Sequence, residues 1–327
     1  MLKYLSKFLW LGAVVGIVLL VIIFGIASGG RWLNPLNLQV VTRTAAQLGI
    51  VAVGQALVLI SGRFDLSVGS IFGVCGVIFV PLAATFGIWP AFILALLCGG
   101  AIGLLNGVLT EKMGVPSLIA TLGNLWIFRG LVFYITGGFA NALPKEMRNH
   151  YLITVLGGKF AGGWNNMILW WALITAIMIM VLNRTRFGNA VFAVGTDETS
   201  ALSRGVSPAR VRIAAFIICG FLAAFSGIGT VADMKTGSTT LGQSMELESI
   251  AGSVIGGTSL LGGVGSIFGS GLGALLLSFI RSGLIMAGAP PYWFVSFVGV
   301  VLIGAVLFNA KMREQLLKRI ERSTYEQ

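Results

Sequence analysis

The 327-residue sequence predicts an all-α polytopic membrane protein with about ten transmembrane helices. Three observations carry that prediction. First, 56% of the residues are hydrophobic and only 10% are charged, against about 25% charge in an ordinary soluble domain. Second, the mean hydropathy is +0.94, which leaves too few charges to cover a soluble surface of this size. Third, the apolar residues gather in runs near the roughly 20 residues a helix needs to cross the hydrocarbon, without the two-residue alternation of a membrane barrel.

The expected spans are roughly 8–28, 44–62, 68–86, 90–109, 116–135, 167–182, 211–232, 247–262, 267–285 and 293–309. The first follows a positively charged start, as in a signal peptide. Its apolar run is longer than a signal core, and a retained span is expected. Ten spans place both termini on one side, and charge chooses the side. With the N-terminus inside, the inner segments hold 14 basic residues and the outer segments six. Basic residues concentrate in cytoplasmic loops, so both termini are expected in the cytoplasm.

Between the second and third spans, SGRFDLSVGS (61–70) sets Arg63 and Asp65 in a turn at the inner surface. There the two can pair with each other or reach water. Gly62 permits a tight bend, and Ser67 is placed to cap the next helix. The external loop 136–166 combines Pro144 and several glycines with a modestly amphipathic centre, the pattern of a loop carrying a short interfacial helix. His150, the only histidine, lies in it without metal-ligand neighbours and reads as a hydrated loop residue. The internal loop 183–212 predicts a short surface helix over Thr196–Leu202. Thr196 is its expected N-cap, Asp197 and Glu198 sit near its positive end, and Gly205 and Pro208 stop it. The stretch 252–273 holds nine glycines in the region of the eighth span, which favours close helix approach or a broken, re-entrant element.

Several functions lack their signatures. The glycines are not followed by the Lys-Ser/Thr pair of a phosphate loop, so ATP binding by this chain is not expected. No HExxH pattern, nucleophile elbow or paired acid–base carboxylates occur. Cys75, Cys98 and Cys219 fall in apolar segments without ligand spacing. The net charge of +11 is dispersed rather than striped, so nucleic acid is not an expected partner. Polar residues inside spans need partners that lipid cannot supply. Gln47, Gln55, Asn106, Thr121 and Asn124 are therefore candidates for hydrogen bonds between helices in the first place, and for a solute pathway in the second.

Four stretches in order also carry a family likeness: SGRFDLSVGS (61–70), GVPSLIATLG (114–123), RTRFGNAVFAVGTDETSALSRGVS (184–207) and ELESIAGSVIGGTSLLGGVGSIFGSGLGALL (246–276). Together they resemble the membrane permease subunit of bacterial ribose- and xylose-type ABC sugar importers, over about residues 35–309. Arg63 and Phe64 stand where that family commonly has Gly-Ile, and Glu248 where it has aspartate. The resemblance implies one permease domain over 1–327 in the bacterial inner membrane, non-catalytic and without its own cofactor. It implies import of a monosaccharide delivered by a periplasmic or lipid-anchored sugar-binding protein. It further implies a second permease subunit, identical or homologous, and two cytoplasmic ATPase subunits or one fused tandem ATPase that use ATP and Mg. The loop 183–212 would meet that ATPase through Asp197, Glu198 and Arg204. Nucleosides and other small polar solutes remain alternative cargoes. A stand-alone secondary transporter would need an ion-coupling site, and the acidic residues fall mostly outside the spans.

Overall fold

The structure, a computed structural model, describes residues 10–304 except residue 291, together with residue 307. Among these are eight helices long and apolar enough to cross a membrane: α1 (Trp10–Ala27), α2 (Pro35–Ile60), α3 (Val68–Phe86), α4 (Ile88–Glu111), α5 (Ser117–Thr136), α7 (Met167–Arg184), α10 (Pro208–Met234) and α12 (Ile267–Met286). Shorter helices are α6 (Tyr151–Gly157), α8 (Arg186–Thr196), α9 (Glu198–Ser203), α11 (Met245–Ile255) and α13 (Trp293–Gly304). We call basal the end of the bundle where α2 and α4 finish, and upper the opposite end. The expected basic residues Lys3 and Lys7, and those from Lys311 to Arg322, lie outside the described residues.

Helix α2 begins nine residues before the expected span. Asn34 accepts the Leu36 amide at 2.9 Å and Pro35 takes the first turn, a pairing of cap and proline that starts the helix early. Thr42 and Thr44 return their hydroxyls to the carbonyls of Leu38 and Val40, so the polar early turns are satisfied within the helix.

Helices α2, α3, α4 and α10 form the core, while α1, α5 and α7 turn large apolar side chains such as Ile23, Trp126 and Leu173 outward. Lipid solvates those outer faces, so they need no protein cover. The tightest crossing is that of α4 and α10. A Cβ on Gly99 would strike the Gly220 carbonyl and the Ala224 methyl, and one on Gly107 would stand 2.9 Å from the Ile213 Cα. Close backbone approach supplies packing where lipid leaves no hydrophobic drive between helices. At the upper end the two-residue strands β1 (Asn141–Ala142) and β2 (Thr236–Gly237) pair antiparallel, Asn141 opposite Gly237, and tie the 136–166 stretch to the end of α10. His150 caps α6 in that stretch by accepting the Leu152 amide at 3.2 Å.

The eighth expected span is corrected. Only Met245–Ile255 is helical, and 11 residues rise about 16 Å, half of the roughly 30 Å hydrocarbon. Gly256 and Gly257 end the helix, and a hairpin follows with Gly257, Gly262 and Gly263 at φ of +92°, +83° and +74°. That left-handed region is open to glycine and strained for other residues. The chain then returns through α12, which packs on α11 where glycines face glycines: a Cβ on Gly256 or Gly273 would collide with the carbonyl of Gly269 or Gly252. The tenth expected span is helical over Trp293–Gly304, and its end lies outside the described residues.

Candidate functional site

The turn between α2 and α3 organises the basal third of the bundle. Gly62, at φ +83°, reverses the chain after α2. Residues 64–67 then climb back among the helices before α3 begins. Asp65 is completely buried there, and it does not pair with Arg63 as the sequence suggested. Its Oδ1 accepts the Ser67 amide at 2.8 Å and the Ser67 hydroxyl at 2.6 Å. Ser67 therefore does not cap α3 with its side chain, because its hydroxyl is committed to Asp65. A carboxylate can remain in such a place only where donors surround it.

Three of the five polar span candidates complete this network. Asn106 of α4 donates to the Ser67 hydroxyl at 2.7 Å and approaches both Asp65 oxygens at 3.4 Å. Asn124 of α5 donates to Asn106 Oδ1 at 2.6 Å. Thr121, one turn below, accepts the Leu66 amide at 3.0 Å. The other two candidates lie apart, along the contact of α2 with α10. Gln55 is fully buried, with its Oε1 3.8 Å from the Cys219 thiol, and its Nε2 has no partner. Gln47 is half-buried, and its backbone carbonyl accepts the Ser226 hydroxyl at 2.7 Å.

Arg63 points the other way, into an ion cluster. It donates to Glu111, the last residue of α4, at 2.7 Å. Glu111 also faces Arg212 of α10 at 3.2 Å, and Arg212 reaches Glu198 of α9 at 2.8 Å and the Ser61 carbonyl at 3.1 Å. The side chains of Glu111 and Arg212 are almost wholly buried, so this cluster clamps the basal ends of three long helices to the 183–212 loop. Sequence reasoning missed both. An acid ending one apolar run and one of two arginines starting another carry no local sign that they meet.

The 183–212 loop is built as two helices rather than one. Thr185 caps α8 through the Gly188 amide at 3.1 Å. Thr196 is the last residue of α8, with its hydroxyl on the Phe192 carbonyl, so it is not the expected N-cap. Asp197 takes that part, accepting the amides of Thr199 and Ser200 at 3.0 and 3.3 Å. Bonding to the Ser200 hydroxyl and then to these amides holds the Asp197 carboxyl below its ordinary range. Arg204 follows α9 as its exposed C-cap. The end of α8 seats directly on the α2 turn. Gly195 lies against the Ile60 carbonyl and Gly263, whose amide donates to Ile60 O at 2.9 Å.

No group of three or more His, Cys, Asp or Glu side chains among the described residues could hold a metal ion. The arrangement instead offers two things. One is a satisfied polar seam between helices that could reorganise. The other is a charged basal ledge that ties a short surface helix to α2, α4 and α10.

Residues 37–306 match the family described as branched-chain amino acid transport system / permease component. The chain is 34% identical over 327 residues to the Autoinducer 2 import system permease protein LsrC of Escherichia coli O9:H4 (strain HS), covering 99% of this chain and 94% of that protein. Against the protein of the same name from Yersinia pestis (strain Pestoides F) it is 35% identical over 297 residues, covering 89% and 83%. A solved chain described as an inward-facing metal-chelate type ABC transporter aligns over 90% of this chain and 97% of its own, at 18% identity and a TM-score of 0.47, a likeness too slight to bear on this protein. The chain belongs to this family of transport-system permease components: it is a non-catalytic, multi-pass membrane permease subunit of an ABC-type importer.

Proposed function

We propose that this subunit forms half of the membrane pathway for a small, uncharged, sugar-like solute, a monosaccharide or a molecule of the autoinducer 2 kind. The observation that carries the reading is the identity of about one residue in three to autoinducer 2 import permeases over nearly the whole chain. The narrower ribose- and xylose-type assignment rests on the four quoted stretches alone.

In this reading the basal end faces the cytoplasm, the 136–166 stretch faces outward, and the complex sits in the bacterial inner membrane. A second permease subunit completes the pathway. ATPase subunits, holding ATP and Mg, dock on α9 through Asp197, Glu198 and Arg204. A binding protein delivers the solute from the other side. Support for the docking site comes from the exposed, capped α9 and its ion-pair link through Glu198 and Arg212 to α10 and α4. Asn106, Thr121 and Asn124, with Gln47 and Gln55 further along, serve the pathway by rearranging their bonds as the helices move. The test is chemical identification of the ligand on the binding protein that co-purifies with this permease. A monosaccharide or autoinducer 2 is expected, and an amino acid would overturn the assignment.

A further inference from the structure

A second polar feature lies above this seam, where the broken element begins. Between β2 and α11, residues 238–244 are not helical, and they descend from the upper end along α3: Gly237 lies against Val77, and Leu241 and Gly242 against Gly73 and Gly69. Their depth follows from the next contact. Ser253 of α11 bonds the carbonyl of Ala52, eight residues above the end of α2. The start of α11 therefore stands about 24 Å above that end, within the thickness of the hydrocarbon. Irregular backbone persists at such a depth only when protein buries it or when it lines water. Thr240 and Gln243 are exposed, so here it lines an open space.

That space is a cleft of about 470 Å³ whose polar border is Thr240, Gln243, Ser244, Glu248 and Arg281, the rest of its wall being Ile285, Phe294, Val295 and the Tyr292 ring, within the size range of small-molecule sites. Glu248, only 7% exposed, is paired with Arg281. The Arg281 guanidinium in turn lies 4.2 Å from the centre of the Phe294 ring, which fixes its plane. Opposite charges cancel at the floor, leaving carboxylate oxygen and guanidinium N–H groups free to bond neutral partners. Two hydroxyls and an amide stand around them, and Tyr292 offers an exposed ring at the rim.

We propose that this cleft binds an uncharged, polyhydroxylated solute. Neighbouring hydroxyls donate to Glu248 and accept from Arg281, while the C–H face of the solute rests on Tyr292. A net charge on the solute would unbalance the Glu248–Arg281 pair, whereas hydroxyls satisfy it in place of water. This inference rests on the reading of the chain as an importer of small sugar-like solutes, and it places a contact site away from Asn106, Thr121 and Asn124.

The experiment uses the complete transporter in proteoliposomes, with D-ribose, D-xylose and autoinducer 2 as probes. Glu248→Gln and Arg281→Gln are expected to lower uptake of the imported probe by about tenfold at matched amounts of complex, the loss of one strong bond to the solute. In a Gln243→Cys complex, that probe on its binding protein is expected to slow modification by a water-soluble methanethiosulfonate, with the parent complex reporting background from the native cysteines. Uptake by the parent without protection at position 243, and with both Gln variants at parental rates, overturns the cleft and leaves the importer reading standing. If the parent neither imports nor is protected by any probe, both fall. A cysteine at 243 that stays unreactive without solute means protein or lipid covers the cleft, and that too overturns it.

Discussion

Replacing Arg212 with methionine removes the hub of the basal ion cluster while keeping much of its volume. Arg212 contacts Glu198 at 2.8 Å, Glu111 at 3.2 Å and the Ser61 carbonyl at 3.1 Å. These losses differ in size. Glu198 is half-exposed and water can take over its charge, so that pair is worth about 0–1 kcal/mol. Glu111 is 5% exposed, and breaking a buried pair on one side costs about 3–5 kcal/mol. Arg63 remains on Glu111 at 2.7 Å, which puts the effect at the low end of that range. The Ser61 carbonyl adds about 1 kcal/mol for a lost hydrogen bond. A destabilisation of about 4–5 kcal/mol is expected for Arg212→Met, read by denaturant or thermal unfolding in nanodiscs. In a double-mutant cycle, Glu111→Gln should recover part of it, because the second change removes the stranded charge. Unfolding of Arg212→Met indistinguishable from the parent, or purely additive effects in the cycle, would refute the account of the cluster.

Other outcomes follow from the same contacts. Asn124→Leu strands the buried Oδ1 of Asn106, at a cost of about 1–3 kcal/mol, and should lower transport while the complex still assembles; parental uptake would show a tolerant packing position. The Asp197→Ala/Glu198→Ala double variant should insert normally but lose stimulation of ATP hydrolysis by loaded binding protein, whereas Asp197→Asn, which keeps a capping oxygen, should retain it. The Asp197 carboxyl is depressed by its bonds to Ser200 and Thr199, so the cap it supplies is complete above its ordinary value of 3.8 and lost as pH falls through the lower folded value. Hydrogen-exchange protection over 198–203, taken relative to the intrinsic rate at each pH, should accordingly be equal at neutral and mildly acidic pH and fall only in stronger acid. Gly220→Leu should prevent α4 and α10 from closing and abolish stable expression, since the new side chain meets the Gly99 carbonyl. A cysteine at position 198 should react with permeant but not impermeant reagent in intact cells, and external labelling would reverse the assigned sidedness.

Much of the bundle was legible because lipid imposes a simple requirement: long apolar runs must be helices. The runs that became α2, α4, α5 and α10 needed no more than that. Polarity inside such runs also carries information, and it is why Asn106, Thr121 and Asn124 stood out before they proved to share one network. What stayed hidden depends on distance or on breaks. Hydropathy scores the glycines after Ile255 much as it scores an apolar span, so it cannot tell a crossing from half a helix and a hairpin. Arg63 and Asp65 looked like partners because they are neighbours in sequence. Their actual partners, Glu111 and Ser67 with Asn106, are set by how α4 crosses the turn. Glu248 and Arg281 likewise meet only because α11 and α12 pack antiparallel through their glycines.

The most direct test of the central claim is solute uptake by purified components in proteoliposomes. Accumulation is expected only when the permease, its ATPase, ATP with Mg and the loaded binding protein are all present, and it should persist when ion gradients are collapsed. Uptake by the permease alone, driven by a proton or sodium gradient, would contradict the account.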